Sequence, residues 1–291
     1  GNMRKRYCAA ITACSNGLPQ KKEKEIEDLI SLLKQDGCSV KTGDHLFETM
    51  DGISGSREEK ARELMGFFMD REVRFIFDVS GGDMANEILS DLDYGKIKKS
   101  PALFWGYSDL TVILNAIYAK TGKASVLYQI RNLLYDHEEK QRRDFGNFVT
   151  KEIEDLFSLN GTFIKGSRME GIVVGGNIRC FLKLAGTPYF PNLKGKILLL
   201  EARSGKIPQM VTYFSQLQQI GVFDEIAGLI LGTFTQMEAA RKDIVELALR
   251  YVKEGTPVFR TMEVGHGTDA KAVAIGGHVE TMYGNQLKTK I

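Results

Sequence analysis

Apolar residues fall along this chain in two alternating patterns, short continuous runs and helically spaced stripes. Residues 6–13 are almost continuously apolar and end at the polar turn Ser15-Asn16-Gly17, which predicts a strand buried on both faces. From 20 to 36, Ile26, Leu29, Ile30, Leu32 and Leu33 recur at helical spacing, and the pattern stops at Asp36-Gly37, where glycine can cap a helix. Cys38-Ser-Val-Lys-Thr42 then reads as a second short strand. A helix over about 57–71 precedes the apolar run Val73–Val79, and Ser80-Gly81-Gly82-Asp83 leads into a helix near 84–91. Residues 102–106 (Ala-Leu-Phe-Trp-Gly) form a further strand, followed by a helix from about Asp109 to Lys120. Strands alternating with helices predict a parallel sheet that binds ligands at the carboxyl ends of its strands. The loops after Val79 and Gly106 are therefore where chemistry is expected.

Between 123 and 170 the pattern fades. Asp136-His-Glu-Glu-Lys-Gln-Arg-Arg-Asp144 is highly charged and no apolar strand stands out, so 126–170 reads as a connecting segment with a helical piece near 147–158 lying over the site. Gly171-Ile-Val-Val-Gly-Gly176 opens a second region, with strands at 196–201 and 228–232 and helices near 177–185, 207–219 and 238–253. The expected organisation is an α/β chain with an N-terminal domain over 1–125 and a smaller C-terminal α/β domain over 171–291. No internal repeat is visible.

Composition narrows the function classes. The 39 basic and 37 acidic residues leave a formal charge of +2, which gives no reason to expect a nucleic-acid or anionic-membrane partner. A small, roughly neutral substrate suits that balance. Cys8, Cys14, Cys38 and Cys180 show no CxxC spacing, so they read as reduced, buried thiols rather than a zinc or dithiol site. Arg4-Lys5-Arg6 and the apolar run up to Cys14 imitate a lipoprotein leader, but Tyr7–Ala13 barely reaches the ~7 residues such a leader needs. A buried first strand explains the run better. No stretch approaches the ~18 apolar residues of a membrane span, and a cytoplasmic location is expected.

Four segments carry candidate chemistry. Gly106-Tyr107-Ser108-Asp109 joins an apolar strand to an amphipathic helix, so Ser108 is either a nucleophile on a sharp elbow or simply the N-cap of the following helix. Ser80-Gly81-Gly82-Asp83 occupies a similar junction: its backbone N–H groups can cradle an anion, or its glycines merely permit a tight turn. One N–H from the Gly82 turn and one from Asp109 would together form an oxyanion hole. Glu201 ends the apolar strand Gly195-Lys-Ile-Leu-Leu-Leu-Glu201, where a carboxylate can equally be a plain surface group. His266, between Gly265 and Gly267, is the favoured general base, and His278 after Gly276-Gly277 is its rival.

With Ser108, Glu201 and His266 side by side, the chain resembles the serine peptidase family of the murein LD-carboxypeptidases and the microcin C immunity peptidases. The resemblance runs through Ser80-Gly-Gly-Asp-Met-Ala-Asn-Glu87, Leu92-Asp-Tyr94, Gly106-Tyr-Ser-Asp-Leu-Thr111 and Gly175-Gly-Asn177. It continues through Leu184-Ala-Gly-Thr-Pro-Tyr189, Gly195–Glu201, Gly228-Leu-Ile-Leu-Gly-Thr-Phe234 and Gly265-His266. It implies a Ser108–Glu201–His266 triad split between a flavodoxin-like domain and a swivelling-type C-terminal domain, an acyl-enzyme, and no metal or cofactor. Gly82 and Asp109 would supply the oxyanion-hole N–H groups, and Asn86, Arg131 and Arg203 are candidates for a substrate carboxylate or phosphate. The implied substrate is a murein tetrapeptide losing terminal D-Ala, or alternatively a peptidyl or aminoacyl nucleotide of the microcin C type. A homodimer is the expected assembly. Tyr128-Gln129-Ile130 stands where family members often carry His-Gly-Pro or Tyr-Gly-Pro, and Thr212 stands where an arginine is common. These departures bear on specificity rather than on the triad.

Overall fold

The computed structural model describes residues 7–291; the basic Arg4-Lys5-Arg6 and the first residue of the expected 6–13 strand lie outside the described residues. The first half runs β1 (Tyr7–Thr12), α1 (Glu23–Gln35), β2 (Cys38–Thr42), α2 (Arg57–Met69), β3 (Val73–Asp78), α3 (Tyr94–Lys99), β4 (Leu103–Gly106), α4 (Thr111–Thr121) and β5 (Ser125–Leu127). After α5 (Glu138–Lys151) come β6 (Ser158–Asn160), β7 (Thr162–Lys165), β8 (Glu170–Asn177), α6 (Ile178–Leu182), β9 (Ile197–Ala202) and α7 (Ile207–Gln219). The chain finishes with α8 (Val222–Glu225), β10 (Gly228–Phe234), α9 (Thr235–Ala239), α10 (Ile244–Ala248), β11 (Val258–Arg260), β12 (Val273–Ile275), β13 (His278–Met282) and β14 (Gln286–Lys290).

Strands β2-β1-β3-β4-β5 pair in that order, all parallel; β1 to β4 are the strands the alternating pattern predicts, and β5 is an addition to it. All six residues of β1 are buried because both faces of the sheet are covered. Cys8 and Ala10 face α2 and α4, while Ala9 and Ile11 face α1 and α5. The second sheet has the order β6-β14-β13-β8-β9-β10-β11-β7, with β8 to β11 parallel and the outer strands antiparallel. Strand β12 leaves the C-terminal region and pairs antiparallel with β5, so the last part of the chain closes the edge of the first sheet.

Helix α4 joins the halves. It is buried continuously from Thr111 to Ile117, and Asn115 exchanges two 2.9 Å hydrogen bonds with Gly175 of β8: its amide donates to the carbonyl and its side-chain oxygen accepts from the N–H. Each bond satisfies a buried polar group that would otherwise be costly to leave unpaired.

The segment 126–170 differs from its expected form. The helix lies at Glu138–Lys151 rather than 147–158, and short strands fall within the segment. The charged run at 136–144 belongs largely to the outer face of α5, whereas Gln141, Phe145 and Val149 repeat every fourth residue on its buried face. Strands of three or four residues are too short to leave a readable alternation. α5 lies against the first sheet rather than over its carboxyl edge: Phe145 and Phe148 meet Trp105, whose indole also contacts Phe75, Phe77, Tyr128 and Phe157. Two other expectations shift. Residues 85–91 form a 3₁₀ helix, and the helix expected over 238–253 breaks into α9 and α10 because Arg241 adopts a left-handed conformation and Asp243 caps the new start.

All four cysteines are buried and unpaired. Among the described residues, no helix is long and apolar enough to cross a membrane. Phe145→Ala should remove the centre of the aromatic layer and lower unfolding stability by about 3–5 kcal/mol, measured by urea denaturation. A loss below about 1 kcal/mol, the scale of a surface substitution, would show that α5 does not brace the sheet.

Candidate active site

The site begins at the end of β4. Tyr107 is extended and Ser108 turns into the left-handed region at φ 53°, where a residue with a Cβ is strained by about 1–3 kcal/mol. The next residues coil into a 3₁₀ turn, Ser108–Leu110, that runs straight into α4. This strand-to-helix reversal turns the Ser108 side chain away from the helix axis, towards the second half of the chain.

Two side chains from that half meet it. Glu201, near the end of β9, is almost wholly buried, and its Oε1 accepts a 3.1 Å hydrogen bond from the Asn177 amide. Its Oε2 lies 2.8 Å from His266 Nδ1, and His266 Nε2 lies 3.2 Å from Ser108 Oγ. His266 sits on the loop between β11 and β12. Gly265 has φ 141°, and a Cβ there would fall 1.8 Å from Thr233 Oγ1, so only glycine lets the histidine loop pass so close to β10. The far side of the loop is held by Gln141 of α5, whose amide donates to the carbonyls of Thr268 and Ala270 at 2.9 and 2.8 Å. Tyr128 donates its hydroxyl to the Gln141 oxygen, linking the loop to the strand next to the elbow.

The glycine turn after β3 faces Ser108 across the same cleft. Gly82 has φ 126°, and a Cβ there would meet the Asn16 side chain at 2.3 Å; Asn16 Oδ1 accepts from the Asp83 N–H at 2.9 Å. Beneath the turn, buried Asp78 accepts from the N–H groups of Cys14 and Ser80 and from the Ser80 hydroxyl; burial nevertheless pushes its carboxyl pKa upward. Among the described residues, neither the Gly82 nor the Asp109 backbone N–H is engaged by another group of the protein. The Asp109 side chain is fully buried and accepts from Ser15 Oγ at 2.6 Å, from the Ala85 N–H at 2.9 Å and from Lys183 Nζ at 2.6 Å.

Ser108, His266, Gly82 and Arg203 line one cleft of about 160 Å³, together with Arg179 and Asn177. The structure thus brings together five of the residues singled out from sequence around one point: Ser108, Glu201, His266, Gly82 and Asp109. Arg203 stands on the cleft wall. Asn86 is exposed on the 85–91 segment, outside the lining of this cleft. Arg131 is mostly buried beside Glu25, at 3.1 Å, and does not reach the cleft lining either. His278 is half-exposed and pairs with Glu170 at 3.3 Å on the second sheet; with Glu280 these form a surface cluster close enough to share an ion, away from the cleft. Sequence reasoning missed Asn177, Lys183 and Gln141. Asn177 had a readable signal, since it follows two glycines and caps α6, but the roles of Lys183 and Gln141 depend on contacts more than 70 residues away in the chain.

Residues 9–128 match the LD-carboxypeptidase N-terminal domain and residues 170–281 match the LD-carboxypeptidase C-terminal domain. The chain belongs to the LD-carboxypeptidase family. It is a serine-type, carboxypeptidase-like hydrolase. It is 30% identical over 270 residues to a putative carboxypeptidase of Treponema pallidum (strain Nichols), covering 84% of this chain and 80% of that protein. It is 26% identical over 269 residues to a probable murein peptide carboxypeptidase of Bacillus subtilis (strain 168), covering 87% and 82% respectively. In structure it is similar to MccF, a microcin C7 self-immunity protein solved with glutamyl sulfamoyl guanosine, with a TM-score of 0.87 at 20% identity over 98% of this chain and 96% of that one. The two-domain α/β architecture of this LD-carboxypeptidase family member is thus shared at low sequence identity.

Gln141→Leu should leave the Thr268 and Ala270 carbonyls and the Tyr128 hydroxyl without their partner. Each buried orphan costs about 1–3 kcal/mol, so a thermal melt should show clear destabilisation. An unchanged melting temperature would mean that the histidine loop does not depend on α5.

Proposed function

We propose that the protein is a serine carboxypeptidase that cuts the amide bond between an L-centre and a terminal D-residue of a murein-type peptide, with Ser108, His266 and Glu201 as its triad. The observation that carries this reading is the hydrogen-bond chain Glu201–His266–Ser108, with spacings of 2.8 and 3.2 Å. An ionised carboxylate only accepts, so Nδ1 carries the imidazole proton and Nε2 is left with a lone pair facing the serine hydroxyl. His266 then takes the Ser108 proton as Oγ attacks the carbonyl carbon, and Glu201 stabilises the imidazolium. The Gly82 and Asp109 N–H groups hold the oxyanion, and loss of one such donor typically costs about 2.7–4 kcal/mol. The tetrahedral intermediate collapses by breaking the C–N bond as His266 protonates the leaving amine. Water, deprotonated by the same imidazole, then releases the acyl group from Ser108.

The size and lining of the cleft support a small leaving group. Its volume of about 160 Å³ is below the several hundred typical of sites for drug-sized ligands, and the aromatic group beside the triad is half-buried Tyr107, whose ring lies 5.4 Å from that of His266. A nucleoside would gain about 1–3 kcal/mol per base from an aromatic platform. Of the aromatic residues of the connecting segment, Tyr128, Phe145, Phe148 and Phe157 pack around Trp105 and Phe163 packs on Phe259, while Tyr135 is half-buried. Arg203 is the proposed recognition group for the free carboxylate of the terminal residue. It is exposed in the cleft, while Arg179 is engaged by Asp83 and the Gly82 carbonyl.

Purified protein should release D-Ala from an L-Ala-D-Glu-diamino-acid-D-Ala tetrapeptide and leave its all-L analogue intact, followed by mass spectrometry. Faster cleavage of an aminoacyl-adenylate analogue under the same conditions would replace this reading with the nucleotide one. Ser108→Ala should lower kcat by about 10³-fold or more without unfolding the protein, and adding His266→Ala should cost little further because triad members act as a unit. Retention of a tenth of the parent rate would remove Ser108 as nucleophile. Arg203→Gln should raise KM for the free acid but barely alter cleavage of a peptide ending in D-alaninamide; equal effects on both would exclude carboxylate recognition by Arg203.

A further inference from the structure

The proposed oxyanion hole takes its two N–H groups from separate turns, one after β3 and one after β4, and a small change in their spacing would weaken both bonds to the oxyanion. Both turns are gripped by one ammonium group that belongs to the other half of the chain. Lys183, at the C-terminal end of α6, donates to Asp109 Oδ1 at 2.6 Å on the elbow and to the carbonyl of Asp83 at 2.9 Å on the glycine turn. Arg179, one turn earlier on α6, donates to the Gly82 carbonyl at 3.0 Å and to Asp83 Oδ1 at 3.1 Å. The N-cap of the same helix is Asn177, whose amide holds Glu201. Five helical residues thus separate the support of the triad carboxylate from the support of the oxyanion turns.

We propose that Lys183 is a positioning residue that sets the distance between the Gly82 and Asp109 N–H groups, making the oxyanion hole competent only when the two halves are docked. This rests on the assignment of Gly82 and Asp109 given above. Lys183 does not line the cleft and touches no reacting atom. Its charge matters because Asp109 is fully buried with its other acceptor position filled by the neutral donors Ser15 and Ala85, leaving Lys183 as its cation. The bond to the Asp83 carbonyl then transmits the position of that pair to the glycine turn.

Steady-state kinetics on the D-Ala tetrapeptide, with phosphonate labelling of Ser108, would test this. Lys183→Met should lower kcat about 10- to 100-fold, less than outright loss of an oxyanion donor, with KM changed under about 3-fold. The rate of phosphonate inactivation should fall in parallel, because the phosphonyl oxygen occupies the same hole. Lys183→Arg, which keeps the charge and two donors, should recover a large part of both rates. If Lys183→Met does not fold, the double variant Lys183→Met, Asp109→Asn removes the unpaired buried charge while keeping acceptors for Ser15 and Ala85; it should fold and remain slow. Wild-type kcat and labelling rate in either folded methionine variant would overturn the proposal. A wild-type protein that is not labelled at Ser108 would instead remove the triad reading beneath it.

Discussion

Asp109 is a carboxylate with no exposure to solvent, and the local architecture is arranged around keeping it satisfied. A buried charge is tolerated only when it is paired and fully hydrogen-bonded. Here the donors come from the loop after β1, the start of the 85–91 segment and the end of α6 in the second half. Meeting that single requirement draws three distant stretches of chain onto the residue that follows Ser108. The strained conformation of Ser108 persists because the residue after it cannot move without breaking these bonds. Electrostatic satisfaction of a side chain that does no chemistry thereby fixes the backbone at which the chemistry is proposed to occur.

The same constraint joins the two halves. Between the sheets lies α4, buried along most of its length and bonded to β8 through Asn115 and through Thr111, which accepts from the Asn177 N–H at 3.1 Å. Asn177 in turn holds Glu201, Glu201 holds His266, and His266 reaches back to Ser108 at the base of α4. The hydrogen bonds form a closed circuit across the interface, so the orientation of each member depends on the docking of both halves. Polar networks of this kind specify one arrangement more sharply than apolar packing, since a misplaced member leaves a buried group unpaired.

The aromatic layer around Trp105 serves a different end. It fills the face of the first sheet under α5, and α5 then extends Gln141 to the histidine loop. Packing energy on one side of the sheet is thereby converted into position at its carboxyl edge. The aromatic side chains that 126–170 contributes are mostly absorbed in the core, which leaves the cleft itself polar and small.

The alternation of apolar runs with helical stripes was enough to set out β1 to β4 of the first sheet but not β5, and the loops after β3 and β4 were identifiable because strand-to-helix junctions rich in glycine leave backbone donors free. Ser108, Glu201 and His266 were nameable as chemical types from local context, each with a bland alternative that local context could not dismiss. That Glu201 is buried rather than on the surface, and that His266 rather than His278 faces Ser108, was decided only by tertiary structure, because those pairs lie 65 and 158 residues apart. Helix α5 was obscured by its own solvated charges, and the three-residue strands were too short to alternate visibly. Arg131 and Arg203 look alike as isolated arginines; the fold puts one against Glu25 and the other on the cleft wall. Sequence determines which groups are present and their local conformational preference, but a hydrogen bond needs a partner within about 3 Å, and only the folded chain decides which partner that is.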